Sequence, residues 1–279
     1  MNLKVNDTFI NIYPFKYILL FVFLTANISP VFSQGDLLIY PKRVVFDGKK
    51  KVEKLVISNT GKDSAVYNIS FLEYKMNENG ELKIISAPEE GINFASSHVR
   101  VFPRKVTLAP GEGQTVKVQL NNTQNLSNGE YRSHLYFRAE EEKGPLGQTG
   151  KRKDSTISVK LTPIYGISIP CIVRIGENTT SAAISDIQFV EENILKFKLN
   201  RTGNMSLYGD FTINYIASDG KIYEVAKTKG VGVYTPNLIR NMEIKLKKPE
   251  NVNFTGGNFK VIYFQNESKK VLAENDLKL

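Results

Sequence analysis

From Leu37 onward the sequence alternates apolar and polar residues in short runs, with almost no helical periodicity, and that period of two confines the chain to half-buried strands. Val116, Val118 and Leu120 alternate with Lys117 and Gln119, while Tyr131, Ser133, Leu135 and Phe137 alternate with Arg132, His134, Tyr136 and Arg138. One member of each pair of sets turns to a core and the other outward, which makes His134 a solvated strand residue. The pattern returns in Leu195, Phe197 and Leu199, in Phe211, Ile213 and Tyr215, in Met242, Ile244 and Leu246, and in Phe259, Val261 and Tyr263. Turn residues that tolerate positive φ close these runs, as at Asp47-Gly48, Asn79-Gly80, Asn128-Gly129 and Asp219-Gly220. The expected fold class is all-β, and turn spacings of about ten to twenty residues suit sandwiches.

A chain of 279 residues is too long for one ordinary sandwich and fits two domains behind a leader. Residues 1–33 read as a signal peptide: Lys4 and Lys16 supply positive charge, Tyr17 to Ala26 form a short apolar run, and Val31-Phe32-Ser33 offers a cleavage site. The run is roughly half of what a spanning helix needs, so export without stable membrane insertion is expected. A first sandwich is placed at 34–176 and a second at 177–279, with Gly176 to Thr180 as the connector.

The residue types that carry chemistry are sparse. With a single cysteine, Cys171, no bridge can form within the chain, and its apolar neighbours Ile169, Ile172 and Val173 make it a small core residue. His98 and His134 are far apart and have no cysteine pair beside them, so neither a metal nor a cofactor is expected. Gly111-Glu112-Gly113 and Gly230-Val231-Gly232 read as turns, because neither opens a helix after a parallel strand. The formal charge of +9 is scattered along strands rather than gathered into an arm or stripe, which argues against nucleic acid. Tryptophan is absent, which weakens a carbohydrate platform. The chain reads as a binding protein and not an enzyme.

One stretch differs from the other strands. Between Thr156 and Val173, Ile157, Val159, Leu161, Pro163, Tyr165, Ile167, Ile169, Cys171 and Val173 all fall on odd positions and project to one side of an extended chain. Such a run would reach about 60 Å, more than one sandwich uses, so it should break, bend or cross between sheets. Pro163 and Pro170 cannot donate to a ladder, which favours an edge position. An apolar edge left open implies pairing with another chain. Burial of the same residues in the domain's own core is the competing interpretation.

Several motifs, in order from Leu37 to about Phe264, resemble the periplasmic chaperones of pilus and fimbria assembly, the PapD-like family, in a divergent branch. Pro41 to Gly48 is similar to that family's first strand, Leu55 to Asn59 to its second, and Phe102-Pro103 with Leu108 to Gly111 to its middle motif. Gly129-Glu130-Tyr131-Arg132-Ser133 stands where the family carries an acidic residue, arginine and serine before a Leu-aromatic-aromatic strand. In the second half, Asn200 to Asn204, Val231 to Pro236 and Gly257 to Val261 resemble a branch of these proteins.

The resemblance implies two immunoglobulin-like β-sandwiches in tandem, set at an angle with a cleft, in the periplasm. It implies pilin-like subunits as clients, capped by strand donation with Ile157, Val159 and Leu161 as donors, and an outer-membrane usher as a further partner. Tyr165 and Ile167 extend that partner-binding row. Family members hold the subunit's terminal carboxylate with an arginine, matched by Arg43, and a lysine, whose position is occupied by Gly166. Lys42, Lys160 and Arg174 are candidate substitutes for that lysine. A secreted structural or adhesin-associated β-sandwich protein is the alternative.

Overall fold

The computed structural model describes residues 37–48, 50–140, 165–250, 252–265 and 268–279. The expected leader, residues 1–33, lies outside the described residues. The first series of strands is β1 (Leu37–Tyr40), β2 (Val44–Phe46), β3 (Val52–Asn59), β4 (Ala65–Met76), β5 (Leu82–Ile85), β6 (Val99–Phe102), β7 (Lys105–Leu108), β8 (Gly113–Leu120), β9 (Gly129–Ala139) and β10 (Gly166–Ile175). They form one sheet in the order β1-β3-β8-β6 and another in the order β2-β10-β9-β4-β5, with β7 also on β4. All of these pairs are antiparallel except β2 with β10.

The second series is β11 (Ser181–Val190), β12 (Ile194–Thr202), β13 (Leu207–Ile216), β14 (Ile222–Val233), β15 (Ile239–Lys245), β16 (Asn258–Phe264) and β17 (Val271–Lys278). They form sheets of order β11-β12-β15 and β14-β13-β16-β17, whose buried residues share one cluster. The expectation of an all-β chain holds.

Alternation builds both cores. Leu55, Ile57, Val116 and Val118 of one sheet pack in the same cluster as Ile69, Leu135, Phe137 and Cys171 of the other. In the second half Leu195, Phe197 and Leu199 share a cluster with Phe211, Ile213, Phe259, Val261 and Tyr263, where the Phe211 and Tyr263 rings lie 4.6 Å apart. Full burial of each large side chain contributes about 1.5–3 kcal/mol, so these rows determine which face of each strand turns inward.

The two sandwiches meet through defined bonds. The β4–β5 turn, with Gly80 at φ +85°, carries Asn77 to Glu81 against the second half. Asn237 Nδ2 donates to the Met76 carbonyl at 2.8 Å and the Asn241 amide donates to the Glu78 carbonyl at 2.7 Å. Any side chain at Gly80 would be strained at that φ and would also run into the Arg240 guanidinium.

Strand β9 departs from expectation. Every residue from Gly129 to Leu135 is buried, on both faces of the strand. His134, expected on a solvated face, is 5% exposed and meets the Tyr74 ring edge-on at 4.7 Å. Arg132, on the same face, lies under Tyr234 of the second sandwich, 3.7 Å from the ring centroid. A period of two reveals which residues share a face but not that Tyr74 of a neighbouring strand and Tyr234 of the second sandwich cover the polar one.

Candidate strand-pairing and anion-binding site

The long odd-numbered row resolves into β10 together with residues outside the described set. Ile157, Val159 and Leu161, expected as donors, lie outside the described residues. β10 pairs β9 along its whole length, from Gly166 opposite Arg138 to Ile175 opposite Gly129. β2 joins the other flank only at Cys171 to Val173, opposite Val44 to Phe46. Among the described residues, the stretch from Gly166 to Pro170 therefore has β9 on one side and no strand on the other. The cause lies in the first strand: Leu37 to Tyr40 is paired with β3 in the opposite sheet, and the chain reaches β10 only after passing Pro41 to Arg43.

The open flank offers backbone more than apolar side chain. Ile169, Cys171 and Val173 are buried in the domain's own core, and Ile167 is partly buried against it. Tyr165, which precedes the strand, is exposed. Arg43 and Ile167 bracket the open stretch, one turned toward the second sandwich and the other into the first. The expected edge is thus an edge over five residues and an interior strand where β2 joins it.

A buried electrostatic network adjoins the closed end of β10. The Glu130 side chain is fully buried and accepts from Arg132 Nη2 at 2.8 Å and Arg174 Nε at 3.1 Å. It also accepts from the Ser206 hydroxyl at 2.5 Å and the Ser206 amide at 3.2 Å, both in the second sandwich. Burial alone would raise the pKa of this carboxyl, but the charges of Arg132 and Arg174 and the Ser206 hydroxyl outweigh it and hold it below the ordinary carboxylate value. The Ser206 hydroxyl accepts in turn from the Thr235 amide at 3.0 Å.

Arg201 locks the loops that reach this network. It is 3% exposed and donates to the carbonyls of Asn237, Gly203, Met205 and Pro236 at 2.7, 2.7, 3.0 and 3.3 Å. Two separate sequence motifs of the second half, around Asn200 to Asn204 and Val231 to Pro236, are joined by that one guanidinium. Their shared outcome is to present Ser206 and Tyr234 to Glu130 and Arg132.

Two other arginines are incompletely used. Arg43 lies over the Tyr208 ring, 4.1 Å from its centroid, and its buried Nε has no acceptor among the described residues. Arg132 gives Nε and Nη2 to Glu130, but its buried Nη1 likewise has no acceptor among them. Burial, then the charge of Arg132, holds the Arg43 pKa below its ordinary value, with Arg174 acting in the same direction. Arg132 and Arg174 thus share the one buried carboxylate of Glu130, while Arg43 has no carboxylate partner among the described residues, so the guanidinium groups here carry an excess of positive charge suited to an anion.

Sequence reasoning found Arg43 but took Arg132 for an outward strand residue. Of the two rings that carry these guanidinium groups, Tyr208 gave no signal of its own and Tyr234 entered only within the motif Val231 to Pro236. The motif Gly129 to Ser133 was the available clue. Of the candidate substitutes for the missing lysine, Arg174 is engaged by Glu130, Lys42 is exposed, and Lys160 lies outside the described residues. Gly166 itself could not carry a lysine without displacing Tyr136, since a Cβ there would enter that ring.

Other chemistry is weak at this site. Cys171 is fully buried and burial, then the charge of Glu73, pushes its thiol up to about 12, which leaves it protonated at neutral pH. Among the described residues no group of three or more His, Cys, Asp or Glu side chains could hold a metal ion.

No family model matches the sequence, and no curated protein matches it. Solved structures do. The chain is similar in fold to several solved chaperones. The YadV chaperone shares 12% identity, with 88% of this chain and 100% of that chain covered, at a TM-score of 0.47. The class 5 fimbriae chaperone CfaA shares 16% identity over 87% of this chain and 98% of that one, at 0.45. The Salmonella enterica SafA pilin in complex with the SafB chaperone gives 11% identity, 90% and 98% coverage, and 0.43.

Proposed function

We propose that this chain is an exported, periplasmic chaperone-like protein that captures an assembly-prone polypeptide by pairing its strand with the open flank of β10. The observation that carries this reading is that β2 joins β10 only from Val44 onward, opposite Cys171, which leaves Gly166 to Pro170 paired on one side among the described residues. An incoming strand would extend the β2-β10-β9 sheet, gaining about 0.5–1.5 kcal/mol net for each backbone hydrogen bond made. Backbone pairing is indifferent to sequence, so it suits a protein whose clients differ from one another.

The rest of the capture falls to residues whose roles are proposed with it. Ile157, Val159 and Leu161 would insert into the client, each contributing about 1.5–3 kcal/mol before ordering costs. Tyr165 would continue that row at the mouth of the open flank. Arg43 would hold a carboxylate of the client as the arginine that the family resemblance implies, with the charge of Arg132 in place of the lysine. Pilin-like subunits are the client class that this resemblance favours, with an outer-membrane usher as the partner that receives them.

The test is capture in the native envelope. Tagged wild-type chain should copurify with one or a few surface-assembly subunits, and the double variant Val159→Asp/Leu161→Asp should lose them while its unfolding midpoint stays unchanged. Loss of the fold in that variant would favour a structural β-sandwich role, and undiminished capture would remove the donor role.

A further inference from the structure

The outward face of the sheet β1-β3-β8-β6 carries a second pattern, unrelated to the open flank of β10. Its inward residues Leu37, Ile39, Leu55, Ile57, Val116, Val118, Val99 and Val101 are buried, so the alternate residues share the opposite surface. The register sets these in rows. Tyr40 stands opposite Val56, which stands opposite Thr115, and one step along the strands Lys54 stands opposite Lys117, which stands opposite Phe102. A further step brings Val52, Gln119 and Arg100 into line.

Tyr40 is 71% exposed and Phe102 is 75% exposed, and Val56 between them is 51% exposed. The charges beside them have one sign. Lys54, Lys117 and Arg100 are exposed, and the sole carboxylate in these four strands, Glu53, has the parity of Leu55 and Ile57 and pairs with Lys50. Glu112, in the turn before β8, is occupied by the Ala109 amide. From β-strand spacings the face measures about 15 by 20 Å, large enough for several lipid headgroups.

We infer that this face associates reversibly with an anionic lipid surface. A lipid surface follows from the single sign of the charges around Tyr40, Val56 and Phe102, which complements anionic headgroups. Protruding aromatic tips ringed by lysine and arginine suit partial entry into a headgroup layer, with the cations at the level of the phosphates. The association is peripheral and adds no membrane-spanning element: among the described residues no helix is long and apolar enough to cross a bilayer. Because the face lies on the other sheet from β10, strand capture and lipid binding can fail separately.

Vesicle sedimentation of the mature chain decides it. Vesicles of phosphatidylcholine mixed with phosphatidylglycerol should carry the protein down at low salt and release it as salt rises, while pure phosphatidylcholine vesicles should not carry it down. Lys54→Ala/Lys117→Ala should weaken partitioning by about thirtyfold, from the usual contribution of each cation near such a surface. Tyr40→Ser/Phe102→Ser should weaken it at every salt concentration, and the circular dichroism of both variants should match the wild type. Absence of sedimentation with the anionic vesicles, equal sedimentation with neutral ones, or indifference to both double variants would overturn the inference. So would binding to a polyglutamate peptide without binding to vesicles, which would assign the face to an acidic polypeptide.

Discussion

The two halves of β10 share one strand and one antiparallel partner, yet their other flanks differ. From Cys171 to Val173 the strand has neighbours on both flanks, buried side chains, and the Glu130 network beside it at Arg174. From Gly166 to Pro170 one flank has no strand among the described residues, and the guanidinium that borders it, on Arg43, has a buried N–H with no acceptor among them. The closed half satisfies its polar groups within the protein. The open half leaves backbone groups without a strand partner among the described residues, and on the proposed function these are what a client strand would pair.

The comparison breaks hardest at Glu130. Replacing it by alanine would leave Arg132 and Arg174 as uncompensated buried charges and would strip Ser206 of its partner across the two sandwiches. Removal of one member of a buried ion pair costs about 3–5 kcal/mol, and denaturant unfolding should show a loss of that order for Glu130→Ala. Glu130→Gln keeps the shape but not the charge and should fall between. A stability equal to wild type would mean that the closed half is not held by this network.

The junction between the halves gives the next largest effect. His134 lies opposite Pro170, where β2 leaves the flank, and burial, then the charge of Arg132, lowers its pKa from 6.5 to about 4. The folded protein therefore keeps this ring neutral while the unfolded chain takes up a proton, so stability present above pH 6.5 is lost as pH falls toward 4, by on the order of 3 kcal/mol. Glu73 works in the other direction: burial raises its carboxyl pKa against the opposing bonds from Ser133 and Ser96, so acidification relieves an unfavourable charge. The clean measurement is the difference between wild type and His134→Gln across that pH range. The variant should lose the acid-side decline, and parallel curves for the two proteins would show that His134 is solvated after all.

How far these features could be foreseen depends on whether their causes are local. The inward rows Leu55-Ile57, Val116-Val118 and Leu195-Phe197-Leu199 follow from alternation alone, because burial of one face is a property of each strand. The burial of Arg132 and His134 is not local. It comes from Tyr234 of the second sandwich for one and from Tyr74 of a neighbouring strand for the other, and alternation carries no information about either. Arg43 was legible through family resemblance and not through its own surroundings. Likewise the two proline residues flagged an edge in the long row but could not show where β2 would end that edge at Cys171.

The smallest effect sharpens the comparison most, because it concerns binding and not folding. Arg43 has no carboxylate partner among the described residues, so Arg43→Ala should alter the unfolding free energy little beyond the loss of its contact with the Tyr208 ring. If the open half is a site for a client carboxylate, the same substitution removes a charged hydrogen bond of about 1.5–3 kcal/mol, which lowers affinity by about tenfold to a hundredfold. Arg43→Lys keeps the charge without the planar fork and should recover part of that loss. Calorimetric titration with a captured client, run beside denaturant unfolding of each variant, separates the outcomes. Equal affinities for all three proteins would leave the open flank working through backbone pairing alone, whereas a stability loss matching the affinity loss would place Arg43 with Glu130 in the closed, structural half.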